Sequence, residues 1–520
     1  MPLPARIFLL LSLAVACRPA PRREHTVVMA WESFPLSLDP RLGQDQASQR
    51  LLSLTHQGLL RRNASLDLVP DGCLAWRWER PFTELCFDFP DEPEAQRLGS
   101  KWFWFGPGRP LRAADALDAI AALRDPALSS PKAGPYKEEI EAVTLEDRKP
   151  LQRLHIHLKA PSPGFAANLG RGSLGIAPAG ARGPLLPGTG PYRVLEVLPE
   201  QRILLEAKRE HPDFAARPGR PQDLELRLLP DTNTRLLALR HVTVQAALNN
   251  LPADLMRPGQ GFEIRHSPGA NLDYVVFQCE QGPLRDARVR LALALAVDRK
   301  ALMAGLMGGL AREAWGYFPP ELAQGIDARQ ALSIPPGLPQ RLQRAQALLD
   351  AAGYPKKQNG VRLDLRLSTS PDVAVRLRAL ALQAQWRRIG VELHITSREF
   401  GTLFSEISAG KFEAAMLRWT GASDPEMLVR VFHSAMVPPA GFNRGRFRDA
   451  EVDRLLETSR QASTQDLRLA LLRRAQLRIV ETAPCVFLWW PDQVIALAPG
   501  LDIDLNGVGD FTGIWATIIP

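Results

Sequence analysis

The chain has 520 residues, 45% of them hydrophobic and 23% charged, an ordinary globular composition. At roughly 100–200 residues per domain this allows about two to four domains or lobes. The net charge of +8 comes from bases spread along the chain. No nucleic-acid-binding motif accompanies them, which argues against a nucleic-acid partner and for a solvated basic surface. No internal run approaches the roughly 18–20 apolar residues that cross a bilayer.

The N-terminus reads as a secretory signal over residues 1–17: Arg6, the apolar run Ile7–Val15, and then Ala14-Val15-Ala16-Cys17. Cys17 after a small residue resembles a bacterial lipobox, in which the cysteine is acylated and becomes the first mature residue. Ala14 stands where leucine is usual, and Leu13 is one place early. Acyl chains contribute about 0.8 kcal/mol per buried methylene, so an acylated Cys17 would tether the protein, with residues 18–26 as a leash. Cys73 and Cys86 are near enough in sequence to pair across a hairpin in an oxidising compartment. Cys279 and Cys485 sit in apolar runs as small core residues, and no cysteine has metal-site spacing.

In chain order, Val27–Ala30 is a strand, Glu32–Pro40 a loop, and Gln46–Gly58 a helix with apolar spacing through Leu51, Leu52 and Leu54. Gly106–Pro110 is a turn before a helix over Ala114–Leu123. Alternation over Arg193–Leu198 and Arg202–Ala207 gives a hairpin of half-buried strands. Leu284–Met303 reads as one helix with Asp286 as N-cap, and Arg344–Tyr354 as a helix stopped by Gly353. Then Val361–Leu367, Asp372–Ile389, Val391–Thr396, Phe400–Ala409 and Phe412–Leu417 alternate strand, helix, strand, helix, strand. That is the rhythm of a parallel sheet. Open sheets of this kind place ligands beyond their carboxyl ends, which puts Trp419 and Asp424 at a candidate site.

Six blocks carry a resemblance. Ser33–Trp78 (with Leu38-Asp39-Pro40 and Val69-Pro70), Phe103–Pro126, Gly188–Ala207 (Gly-Thr-Gly-Pro-Tyr), Leu284–Met303, Arg344–Tyr354 and Gly441–Trp490 come in the order found in the solute-binding proteins of family 5. The chain therefore resembles the peptide-, dipeptide- and nickel-binding components of ABC importers over nearly its whole mature length. Around Arg240–Leu248 it departs, lacking the usual glycine and aspartate.

The resemblance implies an α/β, two-lobed periplasmic binding protein fold (type II, cluster C-like) with a hinge and an interlobe cleft. Lobe I, with a subdomain, would span 27–265 and lobe II 270–480, with 486–520 returning to lobe I. In peptide-binding relatives an aspartate in a segment like Trp419–Pro425 holds the peptide's α-ammonium. Here Trp419, Gly421 and Asp424-Pro425 align, but Ala422 stands at the anchoring position and the loop is one residue shorter. Either Asp424 takes the role or the ligand differs. Arg418, Trp31 and Phe34 join this candidate set. Asn443, Arg444 and Arg446 offer either contacts to a ligand carboxylate or a surface turn. His155 and His157 share a strand face without a third ligand, and no cofactor or metal is called for.

The function implied is capture of oligopeptides or similar solutes for an ABC permease, by a monomer lipid-anchored at the periplasmic face. An alternative is an orphan lipoprotein of the same fold acting as a sensor or as a chaperone for exported chains. No Gly-x-Ser-x-Gly elbow, HExxH or Cys/His pairing speaks for a hydrolase.

Overall fold

The computed structural model describes residues 26–63, 67–170, 172–212, 223–248, 251, 261–269, 271–419, 425–462, 464–499 and 501. Two large sheets organise it. The first has seven strands in the order Tyr192–Leu198, Arg202–Ala207, Asp223–Leu228, Thr26–Trp31, Ala246–Leu248, Gln493–Leu497, Glu263–Ser267. The second has six, in the order Ala311–Glu313, Cys485–Pro491, Leu272–Phe277, Ala414–Trp419, Leu363–Thr369, Val391–Ser397. Each sheet is covered on its faces by apolar side chains, so each lobe has its own core.

A third sheet, of four antiparallel strands, packs Leu85, Phe87 and Phe89 against the Ala113–Arg124 helix. Alternation along Glu84–Pro90 turns Cys86 to the opposite face, where Arg77 Nη2 lies 3.2 Å from its sulfur. Cys73 instead enters the core and donates to the Leu59 carbonyl at 3.3 Å. Both thiols are free, so the pairing considered from spacing is not made.

The chain passes between the large sheets after Ser267, entering Leu272, and again between Pro491 and Gln493. The segment 486–491 thus belongs to the six-stranded sheet, and the return to the seven-stranded sheet begins at Gln493 rather than at 486. At the crossing Gly269 is pressed against its neighbour: a Cβ there would lie 2.2 Å from the Pro491 carbonyl oxygen. Arg312 Nη2 donates to the Gly269 carbonyl at 2.7 Å, and His266 Nδ1 lies 3.0 Å from Asp492 Oδ2.

Strand directions fix where a ligand can sit. Thr26–Trp31 runs parallel to Asp223–Leu228 and Ala246–Leu248, and Glu263–Ser267 shares their direction, since both it and Ala246–Leu248 are antiparallel to Gln493–Leu497. Their carboxyl ends therefore lie on the edge from which the chain leaves for the second sheet. In that second sheet Leu363–Thr369 is parallel to Val391–Ser397 and Ala414–Trp419, and Trp419 pairs with Leu272 at the crossing. Carboxyl ends of both parallel sets thus border the hinge, and the strand–helix alternation read from 361–417 is present with Asp372 as a helix N-cap.

The expected single helix over 284–303 is divided. A helix at Ala287–Leu295 starts at Asp286, which accepts from Arg288 N. A second, Arg299–Leu306, starts at Asp298, which accepts from Ala301 N. The break lets two arginines turn inward. Arg290 donates to the carbonyls of Thr482, Ala483 and Leu284. Arg299, 1% exposed, donates to Ala314 and Phe487 carbonyls at 2.9 and 2.8 Å and sits 3.7 Å over the Trp315 ring. Burial lowers its pKa to about 9. These contacts give the Asp-x-x-Val-Arg and Asp-Arg pieces of the sequence block a physical role: they staple helices to the sheet behind the cleft.

Candidate functional site

On the second sheet's hinge edge, neighbouring residues of one strand point to opposite faces. Trp419 goes to one face and stacks on Tyr274, with ring centroids 6.0 Å apart and planes 7° from parallel. Phe442 adds a ring at 5.7 Å and Tyr317 an edge contact at 6.5 Å. Over this group lies Arg444, its guanidinium 4.6 Å from the Phe404 ring, 4.9 Å from Trp419 and 5.4 Å from Phe442. Burial holds the Tyr274 phenol well above the usual tyrosine range. Beneath the rings a cavity of about 20 Å³ is lined by Tyr274, Trp419, Phe432, Phe442 and Phe487. That volume accommodates a water molecule and no organic ligand, so a solute would rest on the wall, against Trp419 and Arg444.

Arg418 goes to the other face. Its Nη2 donates to Asp273 Oδ2 at 2.9 Å and its Nε to Oδ1 at 2.5 Å. Trp489 Nε1 donates to the same carboxylate at 2.8 Å, and Arg378 Nη1 stands 3.4 Å away. Burial alone would raise the pKa of Asp273. The charges of Arg418 and Arg378 and the hydrogen bonds from Arg418 and Trp489 outweigh it and hold the carboxyl below its ordinary value. Arg418, expected at the ligand, gives its Nε and Nη2 to Asp273 and keeps 35% of its side-chain surface exposed.

Asn443 turns inward. It is 1% exposed, donates from Nδ2 to the His433 and Phe447 carbonyls at 3.1 and 2.8 Å, and accepts from Phe447 N at 2.9 Å. These bonds brace the loop that presents Arg444. Arg446 packs against Gly410. Gly421, Ala422 and Asp424 fall outside the described residues, as does Cys17.

At the hinge edge of the seven-stranded sheet, Trp31 ends its strand 2% exposed and Phe34 packs on the same core. Trp31 is therefore mainly a wall of lobe I. Beside it, Glu32 Oε1 accepts from Arg50 Nη1 at 2.9 Å, and its Oε2 lies 3.6 Å from Arg235 Nη1. His155 and His157 lie far along the chain from either edge, stacked 6.2 Å apart on the four-stranded sheet. His155 Nδ1 is 3.2 Å from Glu84 Oε1.

Sequence reasoning missed Tyr274, Phe442 and Asp273. One signal was available: Leu272–Phe277 is apolar but for Asp273 and Tyr274, and a carboxylate in a buried strand needs a cationic partner nearby.

With an aromatic wall and a cation on the hinge edge of a two-lobed α/β chain, comparison with known proteins becomes decisive. The family description "Bacterial extracellular solute-binding proteins, family 5 Middle" matches residues 104–435, more than half of the chain. The chain belongs to this family.

Among curated family 5 relatives, the dipeptide-binding protein of Escherichia coli (strain K12) is 25% identical over 307 residues, 58% of this chain and 55% of that protein. The heme-binding protein A of Haemophilus influenzae is 27% identical over 310 residues, 58% and 53% respectively. The chain thus spans about half the length of these relatives in alignment. The periplasmic murein peptide-binding protein MppA of E. coli is 23% identical over 490 residues, 86% of this chain and 84% of that protein. Among solved structures, the unliganded open form of MppA superposes with a TM-score of 0.78 at 19% identity, covering 96% of this chain and 98% of that one. HbpA2 from Haemophilus parasuis gives 0.74 at 21% identity, covering 94% and 99%. These structural likenesses establish the two-lobed periplasmic binding protein fold, and the relatives named here are binding proteins.

Proposed function

We propose that this family 5 protein captures oligopeptides or similar small solutes between its lobes and delivers them to the permease of an ABC importer. The observation that carries the reading is the Tyr274–Trp419–Phe442 wall with Arg444 over it, on the hinge edge of the second sheet. Apolar rings next to one well-placed charge suit an organic solute, and closure of two lobes around it is the usual signal of a hinged binding protein. Gly421 and Asp424 complete the rim in this reading, next to Trp419 in sequence. Secretion through the N-terminal signal and acylation of Cys17 would hold the protein at the membrane facing the permease.

Native mass spectrometry of protein purified without denaturation tests this directly. A co-purifying small molecule, and a rise in thermal midpoint when it is added back to stripped protein, are the expected results. Failure of peptides and of cell-extract fractions to raise that midpoint would sink the reading.

A further inference from the structure

The four-stranded sheet is inserted in sequence between Thr26–Trp31 and Tyr192–Leu198, so it belongs to the lobe of the seven-stranded sheet. The hairpin of Ala75–Arg80 and Glu84–Pro90 ends in a turn of unusual composition. Thr83 N donates to the Arg80 carbonyl at 3.2 Å, closing a β-turn with Pro81 and Phe82 at its centre. Phe82 has a φ of 59°. A turn with proline first and a positive φ second calls for glycine at that second place, because a Cβ there is strained. The chain carries phenylalanine instead.

Strain of this kind persists only where surrounding contacts impose it. Phe82 is 7% exposed although Arg80 and Pro81 face solvent, and it lies outside the core of the four-stranded sheet. Its ring meets Trp78 of its own hairpin edge-on, with centroids 5.5 Å apart. It also meets the guanidinium of Arg468, 5.9 Å from the ring centroid. Arg468 is 4% exposed, in the first turn of the Gln465–Thr482 helix, on the face that Leu471, Leu472 and Ala475 turn into the core of the six-stranded sheet. The contact therefore joins the two lobes without using either crossing segment.

We propose that this turn is an interlobe latch: Phe82 seated on Arg468 fixes the angle between the lobes, and rotation about the hinge breaks the contact. A cation is held on a ring face only within about 6 Å of the centroid. At 5.9 Å the contact has little slack, so it survives only a narrow range of lobe angles. Because its two partners sit on separate lobes, it favours the angle at which they meet over every other. The strain points the same way. Glycine would make the easier turn, and what phenylalanine adds is a ring within reach of the other lobe. The inference concerns the lobes alone and does not depend on which solute they hold.

Double electron–electron resonance on the full mature chain tests it, with spin labels at exposed Glu141 of the four-stranded sheet and exposed Lys357 of the other lobe. Phe82→Gly and Phe82→Asn both suit the turn and remove the ring. Each should broaden the distance distribution about twofold relative to the parent chain, as should Arg468→Gln. Joining Phe82→Gly to Arg468→Gln should add nothing further, because each single change already removes the one contact. A control pair at Glu141 and exposed Leu195, both within the first lobe, should keep the parent distribution. Urea midpoints report whether the variants fold. Folded Phe82 variants with the parent interlobe distribution, a double variant whose broadening is the sum of the two singles, or broadening of the control pair overturns the proposal. None of these outcomes touches the solute-binding reading, which the thermal midpoints with added solute decide.

Discussion

Asp273 and Arg418 stand opposite one another on adjacent antiparallel strands, and the guanidinium of one holds both carboxylate oxygens of the other. Asp273 is 3% exposed, whereas the Arg418 side chain keeps 35% of its surface in water. Replacing Asp273 by Asn leaves Arg418 and Arg378 without their shared counter-charge behind the cleft wall. The expected loss is about 2 kcal/mol, below the figure for a fully buried pair because solvent reaches Arg418. Urea unfolding of Asp273→Asn at neutral pH checks it. The depressed pKa of Asp273 sets the sign with pH: its contribution is present above the ordinary carboxylate range and is lost as pH falls through the folded-state value.

His56 provides a second pH term at milder acidity. Burial, then the charge of Lys208, lowers its pKa from 6.5 to about 3. The folded protein keeps it neutral while the unfolded chain takes up a proton, so stability present above about pH 6.5 declines as pH falls toward 3. The slope is about 1.4 kcal/mol per pH unit from this residue. Unfolding free energies at pH 7.5 and 5.0 should converge in His56→Gln relative to the parent chain by about 2 kcal/mol.

Val242 follows the Thr232–Arg240 helix with a φ of 54° and is 49% exposed. A β-branched residue in the left-handed region is strained, and glycine is the usual choice at such helix ends. Val242→Gly should stabilise the protein by about 1 kcal/mol, read as a higher urea midpoint with an unchanged slope.

Gly269 lies where the two crossing segments touch. Its replacement by Ala would place a methyl 2.2 Å from the Pro491 carbonyl oxygen, a backbone atom that cannot rotate away. A loss of about 2 kcal/mol is expected. Because the clash sits between the two hinge strands, Gly269→Ala should also change the distance between spin labels placed on the two lobes.

Much of the fold was legible because alternation and helical spacing are local. The strand–helix order over 361–417, the cap at Asp286, and the block order of family 5 all come from neighbours within a few residues. The undivided helix over 284–303 was misread because Asp298 offers a second cap inside an otherwise continuous apolar pattern. Only the packed sheet shows that Arg290 and Arg299 are needed at carbonyls of distant segments. The site was half legible: Trp419 stood out as an aromatic at a strand end, but Arg418 beside it was counted with it although strand geometry sends the two to opposite faces.

By itself, then, the sequence determined the family, the order of elements and the placing of Trp419 at the carboxyl end of its strand, since each depends on short-range pattern. Which charges remain for a ligand was decided by tertiary structure alone. Asp273 and Arg418 are 145 positions apart, and Glu32 and Arg235 are brought together by parallel strands whose carboxyl ends meet at one edge. Neutralisation depends on distance in space, so only the folded chain shows that Asp273 and Glu32 are already paired.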